Sequence, residues 1–353
     1  MISKKFQINS PSRLSLNLIQ SIAKKEVEDK IKHREYNFEQ INCPICNIEE
    51  SQLLSQKDRY GLEYSVVVCE NCGLIYVNPR MDQDSYNKFY DLEYRRLYLG
   101  SLKPSEYYFE RQYKRGKTIF NFINDINPKE SLKGKNILEV GCSAGGILLF
   151  FKNMGCHVFG VDLDTGYLNY GVENYGMNLI NGSLKDVPND FKPDIIIYSH
   201  VFEHILDVNK ELDLLKKKCT ANTIVYIEVP GIKNVHNAYN MDLLQYFQNA
   251  HTFHFSLTSL TNLLNKNNFT LIKGDEFIRS AFALEIKTNY LQPQNDYKSV
   301  MNYILKIEKY RFLNRFKLKN LGMNSASFIK KTTIKIIKRL GFKNFVKRLY
   351  KKH

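Results

Sequence analysis

Apolar positions along residues 131–290 fall into two alternating rhythms. Short runs rich in β-branched residues, such as Asn136-Ile137-Leu138-Glu139-Val140, Pro193-Asp194-Ile195-Ile196-Ile197-Tyr198-Ser199 and Thr223-Ile224-Val225-Tyr226-Ile227-Glu228-Val229, have the length of strands and little polar alternation. Strands of that kind are buried on both faces. Between the runs, apolar residues recur with the period of a helix that has one buried side. The pattern predicts strands at 135–140, 157–162, 178–181, 193–199, 223–229, 270–272 and 281–286, and helices at 145–154, 165–175, 206–218 and 257–267. Strands alternating with helices imply an α/β fold, a seven-stranded and mostly parallel sheet covered on both faces. Ligands of such sheets sit past the carboxyl ends of the strands, where the strand order reverses.

Elsewhere the pattern changes. Residues 104–130 carry aromatic and charged residues at helical spacing (Tyr107, Tyr108, Tyr113, Ile119, Phe122, Ile123), which predicts helices that precede the first sheet strand and lid the ligand. Residues 41–80 hold two short apolar runs, Tyr64-Ser65-Val66-Val67-Val68 and Leu74-Ile75-Tyr76-Val77, among four cysteines. The expected organisation is an N-terminal helical extension (1–40), a small cysteine module (41–80), a helical linker and lid (81–130), the sheet domain (131–290) and a basic helical tail (291–353). A chain of 353 residues has room for one α/β domain of ~200 residues with such additions.

The formal charge of +15 is concentrated at one end. Residues 287–353 carry 18 Lys and Arg against only Asp296 and Glu308, and the remainder is close to neutral. That balance argues against a nucleic-acid groove across the whole protein and for one surface-seeking appendage. Within 325–353, Ile329, Ile336, Ile337 and Leu340 share one helical face, and Phe342, Phe345, Val346 and Leu349 another, amid ten basic residues. A basic amphipathic segment gains ~1 kcal/mol per basic residue near an anionic leaflet. Packing on its own domain and attraction to RNA are the other readings of that segment. No run of ~18 apolar residues spans a membrane. The start, Met1-Ile2-Ser3-Lys4-Lys5-Phe6, lacks the apolar core and cleavage site of a secretory signal. The expected location is the cytoplasm, with the tail as a peripheral contact to the inner membrane face.

Seven cysteines in such a chain read as metal ligands and free thiols. Cys43-Pro44-Ile45-Cys46 and Cys69-Glu70-Asn71-Cys72-Gly73 are two Cys-x-x-Cys pairs separated by 22 residues, each suited to a tight turn. Four thiolates complete a tetrahedral structural Zn²⁺ with no open position. The alternative, a pair of redox dithiols, lacks the strand–helix context such motifs occupy.

The run Glu139-Val140-Gly141-Cys142-Ser143-Ala144-Gly145-Gly146 joins the first predicted strand to a helix through a small-residue turn. Glycines let that backbone run tight and bring its N–H groups against a ligand. About twenty residues on, the second strand ends on Asp162, a carboxylate placed to accept bonds from both ribose hydroxyls of a nucleoside. The spacing is not the Gly-x-Gly-x-x-Gly dinucleotide fingerprint. It resembles the first motif of class I S-adenosylmethionine (SAM) methyltransferases, Glu/Asp-x-Gly-x-Gly-x-Gly, with Ser143 in place of the middle glycine. That resemblance implies a Rossmann-like sheet and a SAM site lined by Glu139, Gly141, Cys142, Ser143, Gly145, Asp162, Leu163, Ser183, Leu184 and His200. Gly182-Ser183-Leu184-Lys185-Asp186-Val187-Pro188 resembles the family's Gly-Asp-x-x-x-x-Pro segment, with Ser183 where an acid usually meets the adenine amine.

Cys69-x-x-Cys72-Gly73-Leu74-Ile75-Tyr76-Val77-Asn78-Pro79-Arg80, followed by Phe89-Tyr90 and Tyr94, resembles the zinc-binding N-terminal module of bacterial SAM methyltransferases of deoxysugar and surface-polysaccharide synthesis. Ser199-His200-Val201-Phe202-Glu203-His204 and His251-Thr252-Phe253-His254-Phe255-Ser256 resemble that group's substrate-side segments. Glu203-His204 is expected to fix the loop and cap the following helix, and Ser256 to cap the next one. His254 reads either as a stacked surface residue or as a base. In the sugar C-methylating members a Tyr and a Glu precede the second segment's histidine. Gln248 and Ala250 stand there instead, which favours an oxygen or nitrogen acceptor.

A sulfonium methyl is already activated, so the protein mainly holds an acceptor in line with it at ~3 Å. A hydroxyl acceptor also needs a base, and an imidazole suits that task. His251 and His200 are the candidate bases, with His204 beside them. The implied partners are SAM, a structural Zn²⁺ and a small-molecule or lipid-linked sugar acceptor. The rival readings are an RNA methyltransferase and an inactive SAM-fold scaffold at a membrane. Against RNA, the module 43–80 shows no aromatic–basic alternation for stacking single strands.

Overall fold

The computed structural model describes residues 2–100, 105–285 and 292–320. The chain divides after Ile304 into two units, and both main sheets lie in the first. The amphipathic segment 325–353 lies outside the described residues. No helix among the described residues is long and apolar enough to cross a membrane.

Five strands come first: β1 (Phe38–Glu39), β2 (Ser51–Lys57), β3 (Glu63–Cys69), β4 (Ile75–Val77) and β5 (Arg80–Met81). Then follow β6 (Asn136–Val140), β7 (His157–Asp162), β8 (Leu179–Asn181), β9 (Ile195–Ser199) and β10 (Ile224–Glu228). The last three are β11 (Phe253–His254), β12 (Phe269–Gly274) and β13 (Arg279–Leu284). The seven-stranded sheet has the order β12-β13-β10-β9-β6-β7-β8. Only β13 runs against its neighbours β10 and β12, and β10-β9-β6-β7-β8 pair in parallel.

Alternate residues of the central strands feed two separate cores. Leu138, Val140, Ile196, Tyr198, Val225 and Ile227 lie in one apolar cluster, while Ile137, Ile195, Ile197 and Tyr226 lie in another. That division is the physical reason the strands show no polar alternation. Helix Gly146–Asn153 packs on the second face, against helix Glu106–Asn124. The fit requires glycine: a Cβ on Gly116 would stand 2.8 Å from the Ile147 carbonyl oxygen. Helix Glu106–Asn124 thus buries its apolar side (Phe109, Ile119, Phe122, Ile123) against the sheet domain.

The cysteine module is welded to the sheet domain. Strands β2, β3 and β4 form an antiparallel sheet whose further edge is β11, from beyond the fifth parallel strand. Cys43, Cys72, Val67 and Tyr76 share one core with Leu138, Tyr198 and Phe253. One expectation fails locally. Glu203-His204 does not cap the next helix; Asp207 does, accepting from the Lys210 N–H at 3.0 Å. Residues Phe202–His204 form a separate 3₁₀ turn, because Asp207 is the short acid at the N-cap position. Ser256 caps helix Leu257–Lys266 as expected, accepting from the Ser259 N–H.

Candidate active site

The cofactor side is built by the tips of β6 and β7. Gly141 (φ +72°), Ser143 (φ +53°) and Gly145 (φ +75°) all take left-handed backbone, which folds the turn back over the sheet. The turn is pinned by Gly141 N–H and Cys142 N–H, both donating to the Val161 carbonyl at 2.8 and 3.0 Å. A Cβ on Gly141 would stand 2.3 Å from Val201 Cγ2, so the strand tip meets the next loop without room for a side chain. Asp162 closes the turn: its Oδ2 accepts from Ser143 N–H and its Oδ1 from Asp164 N–H, each at 2.8 Å. Burial lifts the Asp162 pKa, and those two N–H donors oppose the rise. Glu139 is buried one strand across, its carboxyl held well above the usual range by desolvation and by the charge of Asp162.

The remaining cofactor-side residues differ in what they offer. Leu163 is 68% exposed, an apolar face beside Asp162 that a stacked base would cover. Cys142 and Leu184 are buried, so their side chains pack in the core and only their backbone is available. Ser183 is tied locally: its N–H donates to Asp186 Oδ2 at 2.9 Å and its Oγ lies 3.2 Å from the same oxygen. Ser143 Oγ and Glu139 Oε2 are buried without a hydrogen-bond partner. Bare polar atoms around a glycine-lined turn fit a nucleoside-bearing ligand such as SAM. Above the turn, Arg95 pairs with Asp164 at 2.8 Å and lies over the Tyr167 ring at 4.0 Å.

Facing it, at the tip of β9, stands a cluster of imidazoles and carboxylates. His200 has φ +58° and donates its N–H to the Glu228 carbonyl at 2.8 Å. Its Nδ1 lies 3.5 Å from Glu203 Oε1 and its Nε2 4.0 Å from Glu228 Oε1. Glu203 is 1% exposed, and neither of its carboxylate oxygens has a hydrogen-bond partner. His204 Nε2 is 3.8 Å from Glu203 Oε1, and the His204 and His251 rings meet edge to face at 4.7 Å. Burial pushes Glu203 up to about 7, against the neighbouring His204 charge. Burial also lowers His200 to about 4, with Arg115 adding to the effect, although a third of its side chain stays exposed. His251 is lowered well below its usual value, by burial first and by His204 second. His254 is buried and lowered to about 3 by burial, edge-on to Tyr64, so the surface reading of that residue is excluded.

Distant segments hold this cluster together. Thr252 donates both its N–H (2.8 Å) and its Oγ1 (3.1 Å) to the Glu203 carbonyl. Tyr86 OH reaches the carbonyls of Ala250 and His204 at 2.6 and 2.8 Å. Tyr64 OH donates to the His251 carbonyl, and Arg59 to Gln248 Oε1. The structure therefore brings His200, His204 and His251 to one place and adds Glu203, Tyr64, Tyr86, Tyr90 and Arg59. Sequence reasoning took Glu203 for a structural residue. A usable signal was Tyr86, Tyr90, Tyr94 and Tyr98 at a spacing of four, one face of a helical run; Tyr90–Tyr94 and Tyr94–Tyr98 stack at 4.3 and 5.7 Å.

The four module cysteines converge as well. Cys43 Sγ lies 3.5 Å from Cys72 Sγ and Cys46 Sγ 3.4 Å from Cys69 Sγ, and one sulfur from each residue falls within 4.8 Å of the others. Thiolates bound to one tetrahedral zinc at ~2.3 Å stand ~3.8 Å apart, so the set fits that ion. Gly73 takes φ +78° after the second pair, as the tight turn requires.

Residues 109–273 match the family model of a methyltransferase domain. That span runs from helix Glu106–Asn124 to β12 and contains both the glycine turn and the histidine cluster. The fold is the Rossmann-like α/β fold of class I methyltransferases. No curated protein matches the chain. Among solved structures, a SAM-dependent methyltransferase from Archaeoglobus fulgidus is similar at 19% identity over 58% of this chain and 92% of its own, with a TM-score of 0.38. CalS10, an amino pentose methyltransferase from Micromonospora echinaspora, is similar at 16% identity over 36% of this chain and 58% of its own, with a TM-score of 0.30. A chain from Galdieria sulphuraria is similar at 13% identity and a TM-score of 0.36, covering 45% of this chain; the match spans 63% of that chain's length.

Proposed function

We propose that the protein is a SAM-dependent methyltransferase acting on a hydroxyl of a sugar or glycoconjugate intermediate, with a structural Zn²⁺ in the cysteine module. The observation that carries the cofactor reading is the left-handed turn Gly141–Gly145 closed by Asp162, inside the matched domain. Bound there, SAM supplies a methyl group already activated by its sulfonium. The chain's residues do the rest. Asp162 and the exposed face of Leu163 hold the nucleoside, and the turn's backbone fixes its position at the strand tips. The acceptor enters from the side of the tyrosine face and the 248–254 segment. Its hydroxyl proton passes to the cluster of Glu203, His200 and His251, where His200 Nδ1 lies 3.5 Å from Glu203 Oε1. The tight enclosure of that cluster keeps bulk water from competing for the methyl group.

The module contributes shape. Its zinc fixes β3 and β4, and β4 carries the edge strand β11, so the loop bearing His251 is set by the metal two elements away. The test is an incubation of the full chain with SAM and a panel of nucleotide sugars, lipid-linked glycans and RNA. Release of S-adenosylhomocysteine with a methylated sugar supports the reading. Turnover on RNA alone would overturn the acceptor class.

A further inference from the structure

Two groups among the described residues bring three or more metal-donor side chains together. One is the cysteine set. The other is Glu203, His204 and His251, whose donor atoms lie within 4.8 Å of one another in a buried space. We infer that this second group is a binding site for a divalent first-row transition ion, zinc by its donor chemistry, inside the acceptor pocket.

The argument starts from His204. Its Nδ1 lies 2.9 Å from the Ala250 carbonyl oxygen and 2.5 Å from Tyr90 OH. A carbonyl only accepts, and a hydroxyl can accept as well, so a proton on Nδ1 satisfies both contacts and leaves Nε2 with a bare lone pair. Metal-ligating histidines are oriented in this way, with one nitrogen donating to a carbonyl and the other free for the ion. That bare Nε2 faces Glu203 Oε1 at 3.8 Å, too far for a shared proton and with no donor between. Both Glu203 oxygens are buried without a partner. His251 closes the third side at 7% exposure, its position fixed by its N–H on the Gln248 carbonyl at 2.9 Å and by Tyr64 on its own carbonyl.

Lone pairs that converge in a buried space, with His200 Nδ1 no nearer than 3.5 Å to the carboxylate, call for a cation. Two imidazoles and one carboxylate are the donor set of zinc sites that keep a fourth position open. Magnesium and calcium take oxygen ligands, so a mixed nitrogen–oxygen set disfavours them. Around zinc such donors stand ~3.3 Å apart, so atoms now within 4.8 Å of one another close by at most ~1.5 Å when the ion enters. Three protein ligands leave the fourth position open, and there an acceptor oxygen would bind.

The role of the ion rests on the methyltransferase reading; the site itself does not. With the ion bound, Glu203 acts as a ligand. The acceptor O–H breaks with its electron pair kept on the metal-bound oxygen, and the proton leaves through His200, whose Nδ1 is next to Glu203.

The test is metal uptake by the full chain after exhaustive dialysis, read by elemental analysis for zinc and by visible absorption after Co²⁺ substitution. Wild type is expected to hold two equivalents, one showing thiolate charge transfer and one showing only the d–d bands of nitrogen and oxygen ligands. Glu203→Gln and His251→Gln each lose the second and keep the first, which also reports that the module has folded. Uptake of a single thiolate-bound equivalent by wild type overturns the site, as does a second equivalent unaffected by either substitution. SAM binding measured on the same samples separates the two ideas: its loss with metal uptake intact would sink the methyltransferase reading and leave the metal site standing.

Discussion

The two sides of the candidate active site are built in opposite ways. The cofactor side is one continuous stretch, Glu139 to Gly145, closed by a single carboxylate from the next strand. The acceptor side is assembled from four separate segments: Tyr64 on β3, Tyr86 and Tyr90 in the linker, the turn after β9, and residues 248–254. A contiguous turn depends on local backbone chemistry, whereas an assembled pocket depends on every element that carries a piece of it. The comparison predicts that the two sides fail independently, and that only the acceptor side answers to the cysteine module.

The largest expected effect therefore comes from the metal. Cys72→Ser removes a thiolate from the proposed zinc site, where a bound ion would contribute on the order of 10 kcal/mol to a small module. Strand β11 should lose its partner β4, and turnover should vanish while SAM affinity stays within about threefold, measured by calorimetry. Equal loss of both would mean that the two sides are one cooperative unit. Next, Glu203→Gln should lower kcat by roughly 10²–10⁴, the range for losing a group that handles the acceptor proton, with SAM affinity unchanged. A variant at full rate would remove Glu203 from the reaction.

Those two substitutions also mark what was legible beforehand. The seven strands of the large sheet, the glycine turn and the two strands around the second cysteine pair follow from patterns within a few residues of each other, and the strand ends match within two residues, whereas β2 and β11 were not expected. The helix-cap reading of Glu203-His204 fails for a tertiary reason. The pair Glu203-His204 resembles a helix cap until Asp207 takes that role and Thr252 turns the segment toward His251. The tyrosine spacing of four was visible, but not the fact that its face would meet His204. Likewise nothing local says that His254, two residues before a helix cap, pairs with β4 and is buried.

Smaller effects refine the acceptor side. Tyr90→Phe removes a hydroxyl 2.5 Å from His204 Nδ1 and leaves the Ala250 carbonyl as its partner. The cost of one such bond is ~1 kcal/mol, so steady-state kcat should fall about fivefold with SAM affinity unaltered. No change would show that Ala250 alone orients the ring. Asp58 supports the same segment by accepting from Asn249 N–H at 3.2 Å, along with Tyr60 and Leu62 N–H at 2.8 and 2.9 Å. Burial pushes its pKa up to about 7, above the usual 3.8. A folded-state pKa raised in this way favours the protonated fold, so Asp58's share of stability declines as pH rises from about 4 to about 7. Thermal melts across that range should show the decline in wild type and a flatter profile in Asp58→Asn. Matching profiles would mean that three N–H donors outweigh burial there.

The central claim is that the Gly141–Gly145 turn and Asp162 form a SAM site distinct from the acceptor cluster. Calorimetry with SAM on wild type, Asp162→Ala and Glu203→Gln tests it directly. The expected result is micromolar binding by wild type and Glu203→Gln, weakened at least tenfold (~1.4 kcal/mol) by Asp162→Ala. No binding by the wild-type protein, or equal binding by all three, would contradict it.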